Sequence, residues 1–282
     1  MAKRRRDFTD RTIIKMISEG RGIGEGIAYK PWITIRDLPS KGRCTEILGW
    51  KTGRMHHLLS KLETKYFFHL EWSDDVIDIR EQFPLLDEFD TYSETIEIAK
   101  QIGVEYPIIP KTRTPNVMTT DFLITVISNG EEKIIARTIK YAKDLSDTRT
   151  IEKLEVERIF WERRGVGWKI VTERQISENL SFNVEYVHQC KTLIGFDYVT
   201  LGMIERVSEE LNIRNFRQDL SLADLAVNID SDLRLDIGTT LFVLKHLIAN
   251  KVAVINMKKK IDTAKHLVIA DRRIYEMKEA IV

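Results

Sequence analysis

Asp121 stands in one apolar run, Met118-Thr119-Thr120-Asp121-Phe122-Leu123-Ile124-Thr125-Val126. Lys140 closes a second, Lys133-Ile134-Ile135-Ala136-Arg137-Thr138-Ile139-Lys140, and Ser128-Asn129-Gly130 lies between them. Two β-rich runs joined by a turn containing Asn-Gly predict an antiparallel hairpin. Side chains alternate along a strand, so Thr138 and Lys140 share a face. An acid on one strand, with a polar residue and a lysine two apart on the next, suits metal-assisted cleavage of a phosphodiester. Carboxylate and carbonyl oxygens hold Mg²⁺, and the lysine orients a water or stabilises the pentacoordinate phosphate. Glu63 is a further carboxylate that could converge on the same sheet edge.

Each of these residues also has a plainer reading. Asp121 equally fits a strand-edge acid facing solvent. Glu63 fits a solvated helix position, and Lys140 the polar end of a strand.

The elements that must position these groups follow from periodicity. A short helix is expected over 9–19, then a loop, Gly20-Arg21-Gly22-Ile23-Gly24-Glu25-Gly26. No strand precedes this loop and no helix with a suitably spaced acid follows, so it is not a dinucleotide fingerprint. Pro31–Ile35 reads as extended. Residues 54–72 predict a helix with Leu58, Leu59, Leu62, Tyr66, Phe67 and Leu70 on one stripe. Val76–Leu85 reads as a strand ended by Pro84. A helix is expected over 93–102, a loop from Pro107 to Pro115, and the hairpin from 118 to 140. Residues 148–164 predict a helix with Ile151, Leu154, Ile159 and Trp161 at apolar positions, stopped by Gly165 and Gly167. A strand over 166–172 completes an α/β layered core.

From about residue 174 the pattern becomes helical: 178–191, 197–212, 221–228 and 237–249. A hairpin of 252–257 with 266–269 is expected around Lys258-Lys259-Lys260. Helices followed by a two-stranded wing suggest a winged-helix-like module, a shape that serves DNA and protein partners alike. The three lysines read either as phosphate contacts or as a solvated hairpin tip.

Composition sets the outer limits. The chain has 282 residues, 43% hydrophobic and 31% charged, which suits a globular protein of two domains. A net charge of +1 conceals segregation: residues 1–65 carry 15 Lys/Arg against 7 Asp/Glu, and 66–110 carry 2 against 11. The basic first segment, with Lys3-Arg4-Arg5-Arg6 as an arm, could follow phosphates or be a solvated arm. The two cysteines, Cys44 and Cys190, lack metal-ligand spacing, which favours a reducing compartment. No apolar run approaches the roughly 20 residues of a membrane span, and no apolar region follows the basic start as in a signal peptide.

Several runs together resemble the TnsA family, the endonuclease subunits of Tns-type heteromeric bacterial transposases. They are His56-His57-Leu58-Leu59-Ser60-Lys61-Leu62-Glu63, Leu70-Glu71-Trp72, Asp78-Ile79-Arg80-Glu81-Gln82-Phe83-Pro84-Leu85-Leu86, Met118–Leu123, and Arg149-Thr150-Ile151-Glu152-Lys153-Leu154-Glu155-Val156-Glu157-Arg158. Gly20-Arg21-Gly22 and Pro31-Trp32 fit the family's first segment. The likeness covers roughly residues 10–172, and beyond that it rests on helical pattern.

The resemblance implies an α/β restriction-endonuclease-like catalytic domain over 1–173 and a mainly helical winged-helix-like domain over 174–282. It places the catalytic glutamate, aspartate and lysine at Glu63, Asp121 and Lys140, and metal ligation at Glu63, Asp121, Thr138 and the Ile139 carbonyl. Glu157 falls on a further acidic position that would support the site or a second metal. Thr138 departs from the family's usual Gln or Glu, and a hydroxyl is a shorter, neutral ligand. The implied activity is Mg²⁺-dependent cleavage, with Mn²⁺ as a substitute, of the 5′ ends of a transposon during cut-and-paste transposition. The implied partners are double-stranded DNA at the transposon ends, a DDE-type (TnsB-like) transposase subunit and a regulatory AAA+ (TnsC-like) ATPase. The expected setting is the cytoplasm, at the nucleoid when active. The alternative is an assembly factor of the same complex whose activity is weakened through Thr138.

Overall fold

A computed structural model describes residues 9–37, 44–88, 91–196, 198–214 and 219–272. The arm at Lys3–Arg6 lies outside the described residues. The chain divides into two compact units, Met1–Ile176 and Ser177–Val282. Among the described residues no helix is long and apolar enough to cross a membrane.

The first unit contains α1 (Asp10–Ser18), β1 (Thr45–Leu48), β2 (Met55–Leu58), α2 (Lys61–Trp72), β3 (Val76–Pro84) and α3 (Ser93–Gln101). It continues with β4 (Thr119–Ser128), β5 (Glu131–Ile139), α4 (Thr148–Arg163) and β6 (Gly167–Val171). The central sheet runs β3-β4-β5-β6, and β1 pairs separately with β2. β3, β4 and β5 are antiparallel neighbours, whereas β6 lies parallel to β5 after the crossover through α4. The hairpin turn uses Asn129 at φ 56° and Gly130 at φ 78°. Left-handed backbone at both positions matches the twist of the flanking strands, and Asn and Gly reach it at least cost.

A core of Leu85, Ile98, Met118, Leu123, Val156 and Phe160 packs α3 and α4 against one face of the sheet. Tyr66 of α2 meets Phe122 of β4 edge-on at 5.6 Å on the other. In α4, Leu154 and Trp161 are buried as the spacing predicts, but Ile151 is 43% exposed, and Val156 and Phe160 carry the packing instead.

Two stretches of the first unit differ from their sequence reading. The helix expected over 54–72 is β2 followed by α2, because Ser60 caps a new start by accepting the Glu63 N–H at 3.1 Å. Leu58 and Leu59 continue the apolar stripe backwards by coincidence of spacing, while strand pairing with β1 claims residues 55–58. The extended run expected over Pro31–Ile35 bends into a 3₁₀ turn at Ile35–Asp37. The Asp37 carboxylate accepts from the Thr34 N–H (2.9 Å), the Thr34 hydroxyl (2.7 Å) and Arg21 (2.7 Å), and so draws the chain round.

The second unit holds α5 (Glu178–His188), α6 (Leu201–Arg214), α7 (Leu222–Leu233) and α8 (Thr239–Ala249), with β7 (Ala253–Ile255) antiparallel to β8 (Ile269–Arg272). The hairpin expected around Lys258–Lys260 is present as this pair, with its second strand at Ile269–Arg272 and a longer connection than the 266–269 strand implies. The lysines sit in a turn just after β7, fastened to α5. Asn183, fully buried, donates to the carbonyls of Met257 (3.1 Å) and Lys259 (2.8 Å) and accepts from Ile261 N–H (2.8 Å). Asn179 donates to the Lys258 carbonyl at 2.8 Å.

Candidate functional site

At Gln82 the alternation of the central sheet's faces reverses. Glu81 faces α2 and β2, where Arg54 and His56 bind its carboxylate. Two residues later Phe83 faces α4, 5.8 Å from the Trp161 ring. β4 does the same: Phe122 packs on Tyr66, whereas the Thr120 hydroxyl turns to α4 and donates to Glu157 at 2.7 Å. Glu81 pairs with Phe122 and Phe83 with Thr120, so Gln82 and Asp121 face each other at the reversal. Gln82 makes the switch possible by adopting φ 50°, in the left-handed region.

The reversal puts Asp121 in a position an ordinary strand acid does not reach. The β4–β5 ladder ends at Phe122↔Arg137. One step on, Asp121 Oδ2 accepts from the Ile139 N–H at 2.6 Å and from Lys140 Nζ at 3.2 Å. Lys140 Nζ also donates to the Ile139 carbonyl at 3.1 Å. Asp121 is 8% exposed, so it is no solvent-facing edge acid. Burial opposes a charge on Lys140, but the Asp121, Glu157 and Glu63 carboxylates outweigh it and raise the lysine's pKa.

Glu63 occupies the first turn of α2 and is 7% exposed, not solvated. Its Oε2 accepts from the Leu59 N–H at 3.0 Å and from Gln82 Nε2 at 3.3 Å. Burial and the neighbouring Asp121 carboxylate push its pKa to about 7.

Thr138 is 2% exposed and donates its hydroxyl proton to Glu157 Oε1, while Trp168 Nε1 donates to it at 3.2 Å. Glu157 thus collects hydroxyls from two adjacent strands, Thr120 on β4 and Thr138 on β5. Its pKa is nevertheless raised to about 7, by burial first and by Asp121 second. Thr138, Lys140 and Glu157 share a cavity with Met118, Thr119 and Lys153. Thr138 and Lys140 therefore open on one side, as their spacing predicts.

Behind the site, Arg54 binds Glu81 and also donates to the Ile79 carbonyl at 2.8 Å. Burial opposes ionisation of Glu81, but hydrogen bonds from Arg54 and His56 hold its carboxyl far below the usual range. Glu81 thereby ties β3 to His56 of β2 and to Arg54 just before it. Residue type does not mark Gln82, Thr120 or Trp168 as site residues. A glutamine between Glu81 and Phe83 gives no sign that it will leave the strand's face. Lys258–Lys260 belong to the second unit.

Among the described residues no three His, Cys, Asp or Glu side chains form a ready metal cage. The donors present do suit a hard divalent cation. Asp121 Oδ2 and the Ile139 carbonyl already hold one positive group, the Lys140 ammonium, between them. Protein donors fix Oε2 of Glu63 and Oδ2 of Asp121. Carboxylate and carbonyl oxygens are the ligands such cations take.

The comparisons with known proteins agree along the whole chain. A family described as TnsA-like endonuclease N terminal matches residues 73–173, and TnsA endonuclease C terminal matches 175–257. The chain is similar to the transposon Tn7 transposition protein TnsA of Escherichia coli, 36% identical over 279 residues, which cover 99% of this chain and 98% of that protein. Glu63 precedes the first family match and is reached by the second comparison.

Proposed function

This chain belongs to the TnsA endonuclease family, and from that premise we propose that it is the Mg²⁺-dependent nuclease subunit of a heteromeric transposase, cutting the 5′ strand at each transposon end. The observation that carries the reading is the buried junction of Asp121 with Ile139 N–H and Lys140 Nζ, with Glu63 and Glu157 close enough to feel the Asp121 charge.

In this reading Glu63, Asp121 and the Ile139 carbonyl hold the metal. When bound, Mg²⁺ supplies positive charge at the attacked phosphate and acidifies water. Lys140, kept protonated by its carboxylate neighbours, orients the nucleophile and neutralises charge developing on phosphate oxygen. Glu157 supports the site, or a second metal, from α4. Thr138 contributes through Glu157, whose orientation its hydroxyl fixes, and less as a direct ligand.

The second unit is read as a winged-helix-like module, supported by α6–α8 and the β7–β8 pair. It would receive the AAA+ ATPase and, through the anchored Lys258–Lys260 turn, touch DNA phosphates. A DDE-type subunit would cut and join the 3′ ends.

The test is a strand-resolved nicking assay on transposon-end DNA with the partner transposase subunit present. The 5′ strand is cut with Mg²⁺ or Mn²⁺ and left intact with EDTA. Equal cutting in EDTA, or cutting confined to the 3′ strand, overturns the reading.

A further inference from the structure

The Gln82 side chain is tied at both ends. Its Oε1 accepts from the Thr119 hydroxyl at 3.2 Å. Its Nε2 donates to Glu63 Oε2 at 3.3 Å. Leu59 N–H reaches the same oxygen at 3.0 Å and the Ser60 side chain also hydrogen-bonds the carboxyl, so Gln82 is the one of these partners that reaches it from β3. Gln82 is 3% exposed and faces Asp121 across the β3–β4 pair.

The first thirty residues of the described chain hold Gln82 in this place. β3 is an edge strand, so its outer backbone groups have no strand to pair with. Trp32 N–H donates to the Gln82 carbonyl at 3.2 Å, and Tyr29 Oη donates to the Glu81 carbonyl at 3.0 Å. Gly22 lies so close to Pro84 that a Cβ there would fall 2.3 Å from the proline Cγ. The Gly20–Trp32 segment thus clasps β3 on either side of its left-handed residue.

From this arrangement we propose that Gln82 is a positioning residue for DNA cleavage: its carboxamide, held by Thr119 and by the Gly20–Trp32 clasp, fixes Glu63 so that Oε1 faces the cation. The proposal rests on the assignment of Glu63 and Asp121 as metal ligands. Partners that orient a ligand typically matter about 10- to 100-fold in metal affinity or activity.

Gln82→Gly separates this role from a purely structural one. Glycine accepts φ 50° more readily than glutamine, so the backbone reversal is kept while the carboxamide is lost. Metal binding is read with Mn²⁺ alone, by titration calorimetry on the full chain. Single-turnover 5′-strand cleavage is read beside it, with Glu63→Gln as the reference. Expected for Gln82→Gly is an unfolding midpoint equal to or above that of the parent, with Mn²⁺ affinity weakened about tenfold or more. Cleavage should fall with it and recover in part at high Mn²⁺. Gln82→Asn, which tolerates the same backbone but has a shorter amide, should show the same weakened binding. Parental Mn²⁺ affinity in Gln82→Gly overturns the proposal. If Glu63→Gln abolishes cleavage while Gln82→Gly does nothing, the proposal alone falls. If Glu63→Gln also binds Mn²⁺ and cleaves normally, the metal assignment falls with it. Should Gln82→Gly unfold at a lower temperature, Gln82→Asn decides: parental affinity in that variant overturns the proposal.

Discussion

The Thr138 hydroxyl donates to Glu157, and the Thr120 hydroxyl reaches the same carboxylate oxygen from the neighbouring strand. Both threonines are buried, at 2% and 0% exposure, and the acid they hold is buried with them. Thr138, where the family resemblance implies Gln or Glu, is therefore engaged on a carboxylate delivered by the helix.

Thr138→Val keeps the shape of this side chain and removes its donor. Loss of a hydrogen bond to a charged group costs about 1.5–3 kcal/mol, which raises the Glu157 pKa further. Cleavage should drop about tenfold or more near neutral pH and recover as pH is raised. The pH–rate profile checks this: an unmoved profile would show that Glu157 has no part in the rate.

Lys140→Ala should slow 5′ cleavage about a hundredfold or more, the usual scale for losing a preorganised charge at a developing oxyanion. DNA affinity should change little. Gel-shift titration beside single-turnover rates makes the distinction. A fall in affinity matching the fall in rate would make Lys140 a simple phosphate contact.

The metal-free protein should lose stability as pH rises from about 4.5 to about 7. Glu63 and Glu157 both have folded-state pKa values raised to about 7, above the ordinary carboxylate value. The folded state therefore binds more protons than the unfolded one in that window, and deprotonation works against folding. Their burial is thus tolerated best below it. Denaturant melts across pH, with EDTA present, should show this fall, and Glu157→Gln should flatten it. Mn²⁺ should restore stability at the high-pH end, because it binds the deprotonated carboxylates. His57 and His246, whose pKa values burial lowers, act in the opposite sense, so the comparison is with Glu157→Gln: a variant profile identical to the parent's would mean that Glu157 does not resist ionisation.

Much of this was legible in the sequence, and the exceptions have physical reasons. The hairpin was plain because Asn129-Gly130 is a strong local turn and the flanking runs are β-branched. Asp121 and Lys140 could be brought together from that register alone. Residue type offers Glu63 as a candidate carboxylate, but only the family likeness gives it a role, since nothing in its spacing distinguishes a buried from a solvated helix acid. The 54–72 stretch was misread because β2 owes its strand state to β1, a contact that no helical window contains. Gln82 was invisible as a site residue because its face switch depends on a left-handed backbone, which only the clasp of Trp32 and Tyr29 explains. The wing strands were misplaced because β8 pairs with β7 across a long connection, and the lysine turn looked like a hairpin tip.

Fragments 1–176 and 177–282 should each unfold cooperatively, since each unit has its own buried core. The second fragment should retain binding to the ATPase partner in a pull-down. Binding by 1–176 that equals the full chain would reassign that surface.

The most direct test of the nuclease assignment is the single-turnover rate of 5′-strand cleavage by Asp121→Asn, measured with the partner transposase subunit and Mg²⁺. Asparagine retains an oxygen for the Ile139 N–H, now at 2.6 Å from Asp121 Oδ2, so the strand junction is preserved while the charge is lost. The rate should fall about a thousandfold or more, with 3′-strand cleavage by the partner still detectable and the unfolding midpoint equal to or above that of the parent. A parental 5′ rate in this variant would contradict the account.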